Sequence, residues 1–309
     1  MALKNVLFDE VAIDPNCLTD ENLLDVIRYK FGLGLGRCIS EFPTDWKSKA
    51  LEAANKIDDE LLKKKIKLVI RRCIDSNSFI RSDRVYQRGA DWFNQILESS
   101  KVKPFRAVIS NEKLEFENSY LTSDVDNYLT ETSKHVGGID FALVKTDDEF
   151  IDLLKPFLLK NKCFTLVNKT QWLLTDKHRV ERWFKVLMAY WVKNGGREAT
   201  IIRSTNEEKG FREHQWLRER ELLDLYLAHI GYKGIFKYIA VDDSRYELHK
   251  RSLLGNFCGI GLDFGLEMTL KRHSWWLMNP AEFFQEQRLF VDQDVRDTYP
   301  AFLEYRFAG

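Results

Sequence analysis

Between positions 18 and 100 the apolar residues recur at helical spacing, with polar start signals in front of them. Thr19-Asp20-Glu21 precedes Leu23, Leu24, Val26 and Ile27, and Thr44 and Asp45 precede the stretch through Leu51 and Ile57. A short polar residue before an apolar-periodic run is the signature of a capped amphipathic helix. Residues 58–72 begin acidic and end basic, the polarity that complements a helix dipole. The pattern therefore predicts a helical N-terminal region over residues 1–104.

The pattern changes at Lys101-Val102-Lys103-Pro104, after which strand-like segments appear. Strands are expected at Phe105 to Asn111, Cys163 to Asn168, Ala199 to Arg203, Phe236 to Val241 and Glu247 to Leu254. Helices are expected at Ser123 to Ser133, from Asp147 to near Asn161, from Asp176 to Lys193 and from Glu213 to Ile230. Asn194-Gly195-Gly196 stops the third of these helices before the strand that follows. Alternating strand and helix argues for an α/β domain with a mixed sheet over residues 105–309. The length of 309 residues fits two domains at about 100–200 residues each.

Composition bounds the function classes. With 44% hydrophobic and 30% charged residues the chain lies far from the disordered regime. Its 47 basic residues balance 47 acidic ones, so no overall attraction to DNA or an anionic membrane follows. The balance is local, however. Residues 105–160 carry 6 basic and 11 acidic side chains, a net −5, whereas residues 161–220 carry 13 and 7, a net +6. That basic segment also holds Trp172, Trp183, Tyr190, Trp191 and Trp216, the mixture in which bases stack and phosphates pair. Trp183, Val186, Leu187, Tyr190 and Trp191 also recur at helical spacing, which places most of these aromatics in a core.

Apolar runs such as Ala199-Thr200-Ile201-Ile202 fall far short of the roughly 20 residues that span a bilayer. Asp9, Glu10 and Asp14 interrupt the N-terminal segment before a secretion signal can form, so a cytoplasmic location without membrane association is expected. Cys17, Cys38, Cys73, Cys163 and Cys258 are scattered and odd in number, without a C-x-x-C pair. Reduced, mostly buried thiols are the expectation.

Candidate chemistry is sparse. Gly32-Leu33-Gly34-Leu35-Gly36 lacks both the third glycine of a dinucleotide fingerprint and the Gly-Lys-Ser/Thr of a P-loop. The histidines lack metal-ligand spacing, and neither H-E-x-x-H nor G-x-S-x-G occurs; no metal and no cofactor is expected. One constellation stands out, residues 247–265, ELHKRSLLGNFCGIGLDFG. Read as a strand from Glu247, it puts Glu247, His249 and Arg251 on one face. Three ionisable groups on one strand face are costly to bury unless they serve each other or a ligand.

These residues resemble the phospholipase D superfamily motif H-x-K-x-x-x-x-D, here His249-x-Arg251-x-x-x-x-Asn256. The continuation Gly259 to Asp263 resembles the glycine-rich segment in the phospholipase D-like C-terminal domains of microtubule-interacting and transport proteins, which likewise carry H-x-R. The resemblance covers about residues 105–280 and implies a phospholipase D-like α/β sandwich there. It implies His249 as nucleophile, Arg251 as phosphate clamp and Asn256 in the place of the aspartate. Arg keeps the charge and offers a fork suited to phosphate, whereas Asn cannot supply the negative charge that stabilises an imidazolium. Asp263 or Glu247 would then compensate, with Lys250 beside them. Arg203, Ser204 and Thr205 follow a predicted strand, where ligands of α/β sheets gather, and are expected to line the same pocket. His273-Ser274-Trp275-Trp276 offers a stacking platform or a buried anchor.

Taken together, these features lead to a nucleic-acid or phosphate-ligand binding component with a degenerate phospholipase D-like site. The resemblance suggests a bacterial mobile-element or anti-phage defence setting. One alternative is a metal-independent nuclease or phosphodiesterase with a His249 nucleophile; this family uses two motifs and the chain has one, so such an enzyme would be a homodimer. The other is a non-catalytic interaction subunit. In it the N-terminal region, or the acidic and aromatic tail from Glu282, docks a protein partner.

Overall fold

The computed structural model describes residues 6–87, 89, 91–103, 105–110, 122–123, 125–132, 135–141, 146–168, 173, 180–205, 212–243, 248, 251–263, 265–266, 273–292, 299 and 302–309. The chain folds as two compact units, Met1–Gly138 and Ile139–Gly309.

The first unit contains β1 (Asp9–Ile13), α1 (Glu21–Lys30), β2 (Arg37–Glu41), α2 (Trp46–Asn55), α3 (Glu60–Asp75), β3 (Phe79–Arg81), α4 (Trp92–Val102), β4 (Ala107–Ile109), β5 (Thr122–Ser123) and α5 (Val125–Thr132). The expected helices are there, but they surround a parallel sheet of order β3-β2-β1-β4-β5. This corrects the purely helical expectation for residues 1–104. It also moves the division between units from residue 104 to residue 138, because β4 pairs with β1. Both faces of β1 are buried: Val11 and Ile13 join a core with α1, α2, α3 and α5, while Ala12 joins Phe42, Trp92, Ile96 and Phe105 on the other side. A parallel strand covered on both faces carries no alternation of apolar and polar positions, so strands of three to five residues such as β1, β2, β3 and β4 leave little trace in the pattern.

The second unit is built on an eight-stranded sheet. Its elements are β6 (Gly138–Phe141), which begins at the boundary, α6 (Asp147–Lys160), β7 (Cys163–Val167), α7 (Arg182–Lys193), β8 (Glu198–Ser204), α8 (Glu213–His229), β9 (Ile235–Val241), β10 (Arg251–Gly255), β11 (Gly259–Leu262), β12 (His273–Leu277), α9 (Pro280–Gln287), a π-helical turn Arg288–Asp292, and β13 (Phe302–Ala308). The order is β13-β9-β8-β7-β10-β11-β12-β6. β7, β8 and β9 run parallel, whereas the pairs β7–β10, β10–β11, β11–β12 and β9–β13 are antiparallel. This is the mixed α/β sheet that the alternation of elements predicts.

Helices α7 and α8 cover one face of this sheet. Trp191 meets Phe164 at 4.7 Å between ring centroids, Phe184 meets Phe236 at 5.8 Å, and Trp216 meets Tyr238 at 4.2 Å. Trp183, Trp191 and Trp216 are buried in this packing and belong to the core, whereas Tyr190 is half-buried; Trp172 lies outside the described residues. The opposite face has an apolar cluster towards the carboxyl ends of the parallel strands, formed by Val167, Ile202, Ile239, Val241, Leu248 and Tyr299 with Phe290 against them.

Candidate functional site

The carboxyl ends of β7, β8 and β9 lie along one edge of the second sheet, and antiparallel β10 starts there, with Ser252 opposite Val167. Several expected site residues meet at this edge. β10 begins at Arg251, later than the expected start at Glu247. Leu248 already lies outside the ladder, its backbone N–H donated to Asp243 Oδ2 at 3.1 Å. Glu247, His249 and Lys250 lie outside the described residues.

Ser204, at the end of β8, donates its hydroxyl to Asp243 Oδ1 at 2.6 Å. Thr205 ties back to Val241, its N–H and hydroxyl both donated to that carbonyl at 2.8 and 3.2 Å. Ser204 and Asp243 are both buried, so the carboxylate, fixed by the hydroxyl on one oxygen, fixes Leu248 with the other. Ser204 is thus engaged in an internal contact, where it was expected to line a pocket.

Arg203 is likewise a correction. It is fully buried, with its Nε donating to the Ser204 carbonyl at 3.3 Å and its Nη1 at 3.5 Å from the Tyr238 hydroxyl. Tyr238 donates to Glu219 Oε2 at 2.9 Å, and Glu219 Oε1 accepts the Leu173 N–H at 2.8 Å. Burial, and next the Glu219 charge, push the Tyr238 phenol well above its ordinary range. A guanidinium sealed inside this network does not reach a ligand at the surface.

Arg251 is different. It is half-buried, Nη1 donates to the Asp263 carbonyl, and the buried Nε has no hydrogen-bond partner among the described residues. The Asp263 carboxylate accepts the Ser274 N–H of β12 on Oδ2 at 2.7 Å. Trp275 is the buried anchor of the two readings, its indole N–H donated to the Gly265 carbonyl at 3.2 Å, and Trp276 is 39% exposed.

Asn256 is not brought to this edge. Arg251 and Gly255 stand at opposite ends of β10, about 13 Å apart at ~3.3 Å per residue, and Asn256 lies beyond, exposed in the turn to β11. The hairpin therefore separates two members of the expected triad. Asn256 instead lines a cleft of about 790 Å³ on the sheet face away from α7 and α8. Thr165, Thr200, Lys237, Glu304 and Arg306 line it too, as does Glu198, which pairs with Lys237 at 2.6 Å. Motif reasoning missed this cleft. Its trace in the sequence is the alternate polar positions Glu198 and Thr200 in β8 and the single charge Lys237 in β9.

In the first unit Asp9 is fully buried at the start of β1. Its carboxylate accepts the Tyr128 hydroxyl at 2.8 Å and lies 2.9 Å from Arg106 Nε. Gly32 to Gly36 joins α1 to β2 through a short 3-10 turn, with Gly36 in the left-handed region at φ 71°. The stretch lies between a helix and a strand and does not open a helix, so it lacks the context of a phosphate loop. All five cysteines are free, and all but Cys163 are buried. Among the described residues no group of three or more His, Cys, Asp or Glu could hold a metal ion, and no helix is long and apolar enough to cross a membrane.

No protein-family model and no curated protein matches the chain. Among solved structures it is similar to TrmBL2, an archaeal chromatin protein whose structure shows a novel mode of DNA binding, at 9% identity and a TM-score of 0.28. The match covers 53% of this chain and 56% of that one, so the chain spans little more than half the length of that protein. A likeness of that size carries no argument about function.

Proposed function

We propose that the second unit binds a phosphate-bearing ligand, nucleic acid first among them, at the carboxyl edge of β7, β8 and β9 through a degenerate phospholipase D-like site. The observation that carries this reading is Arg251, a half-buried guanidinium whose Nε has no hydrogen-bond partner among the described residues. An unsatisfied buried donor is costly, and a phosphate oxygen satisfies it with a charge-assisted bond. The Ser204–Asp243–Leu248 contacts support the reading, because they fix the chain just before His249 and Arg251. Binding fits better than turnover, since Asn256 lies a strand length from Arg251 and carries no charge to stabilise an imidazolium at His249.

The test uses wild type, Arg251→Ala and His249→Ala with labelled single- and double-stranded DNA and RNA in EDTA, reading gel shift and cleavage together. A shift without cleavage is expected. Arg251→Ala lowers affinity about tenfold and reduces the salt slope by about 1. A shift unchanged in both folded variants sinks the proposal, and cleavage abolished by His249→Ala replaces it with the nuclease reading.

A further inference from the structure

Among the described residues the eight-stranded sheet ends at β13, and an edge strand presents outward N–H and C=O groups to any chain that can pair with them. Which groups point outward follows from the register. β13 pairs with β9 from Phe302 opposite Val241 to Ala308 opposite Ile235, without a bulge. Gly309 continues it, donating its N–H to the Gly234 carbonyl at 3.3 Å. Hydrogen-bonded pairs alternate along an antiparallel ladder. Residues 303, 305 and 307 therefore bond to β9, and residues 304, 306 and 308 turn their backbone groups outward.

The side chains on this strand are arranged symmetrically about Tyr305. Glu304 precedes it and Arg306 follows it, both on the cleft face, while Leu303 and Phe307 flank it on the other face. Leu303 is 36% exposed, an apolar side chain on an edge that neither proline nor a bulge protects. We propose that β13 is a dimerisation edge at which two copies of the chain pair antiparallel about Tyr305, joining their eight-stranded sheets into one.

In that register Glu304 lies opposite the partner's Arg306 and Leu303 lies opposite the partner's Phe307. The outward backbone groups of residues 304 and 306 meet each other. A slip by one residue sets outward groups against inward ones and removes the ladder. A slip by two sets Glu304 against its own copy or Arg306 against its own copy, and like charges directly opposite are destabilising. Of these registers, the one centred on Tyr305 sets opposite charges and outward backbone groups against each other. Because Glu304 and Arg306 also line the cleft, each partner would add a charged residue to the wall of the other's cleft.

The decisive experiment is analytical ultracentrifugation of the full chain as wild type, Glu304→Arg, Arg306→Glu and the double swap carrying both changes, with circular dichroism to confirm folding. Each single reversal creates two like-charge contacts across the two-fold axis and is expected to raise the dimer dissociation constant at least about tenfold. The double swap recreates opposite charges and returns the constant to near the wild-type value. A monomeric wild type overturns the proposal. So do single variants that dimerise like wild type, or a double swap that stays monomeric. If a reversal fails to fold, Arg306→Pro takes its place: it removes an outward N–H and no bond to β9, and must be monomeric; a dimer there also overturns the proposal.

Discussion

Asp9 shows how one residue couples the first unit to pH. The carboxylate is fully buried at the start of β1, and burial raises its pKa above the ordinary 3.8, with Arg106 and then the Tyr128 hydroxyl acting in the opposite direction. A carboxyl group raised in the fold binds its proton more tightly there than in the unfolded chain. Its contribution to stability is therefore present below 3.8 and is lost as pH rises through the folded value. Asp9→Asn does not titrate and serves as the reference. Urea unfolding from about pH 4 to about pH 8 should show wild-type stability, relative to the variant, falling as pH rises. A relative stability that rises with pH would show that the Arg106 contact outweighs burial. Loss of the carboxylate also leaves Arg106 without that partner, but this offset is independent of pH over the range. In the sequence Asp9 stands beside Glu10 as a break in an apolar segment and reads as surface until Arg106 and Tyr128, distant in sequence, close over it. Arg251 was legible from its motif; that its Nε has no hydrogen-bond partner among the described residues was not.

Among the elements, the helices were the most legible. Asp59 illustrates why: its carboxylate accepts the Leu61 N–H at 2.8 Å and the Leu62 N–H at 3.2 Å, capping α3, whose Ile66, Val69, Ile70 and Cys73 face the core. Cap and apolar period are both local, so both are written in consecutive residues. Asp59→Ala is expected to cost about 1 kcal/mol, seen as a lower denaturant midpoint at unchanged m-value; an unchanged midpoint would show that water replaces the cap without loss. At the start of α6 the capping box is equally plain in Thr146 and Glu149. The long parallel strands β8 and β9 were legible too, being seven residues each and rich in β-branched and aromatic side chains. The short strands of the first unit were not, and β10 began only after Leu248, later than its apolar and ionisable alternation suggested. A strand starts where a neighbour offers a ladder: Arg251 pairs with Leu262 of β11, and from Ser252 onward β10 also pairs with β7, roughly 85 residues away in the chain.

For the whole molecule, the proposed edge pairing makes stability depend on concentration, because a ligand that binds only the folded state stabilises it and here the ligand is a second copy. The melting temperature of wild type should rise with protein concentration, and that of Arg306→Glu should not; a concentration-independent wild type would count against the dimer. By itself the sequence determined the α/β class, the helices with their caps, the mixed sheet of the second unit and the His249–Arg251 motif. Each of these is encoded in short-range periodicity or in adjacent residues. Only the tertiary structure decided that the N-terminal helices surround a parallel sheet, that β4 belongs with β1, that Arg203 is sealed in the core, and that Asn256 faces a cleft away from Arg251. The physical reason is common to all four. Parallel pairing, burial and the meeting of several strands around one cleft are relations between residues far apart in the chain, set by which strand supplies the hydrogen bonds of the next, and no local pattern of hydrophobic and polar positions records them.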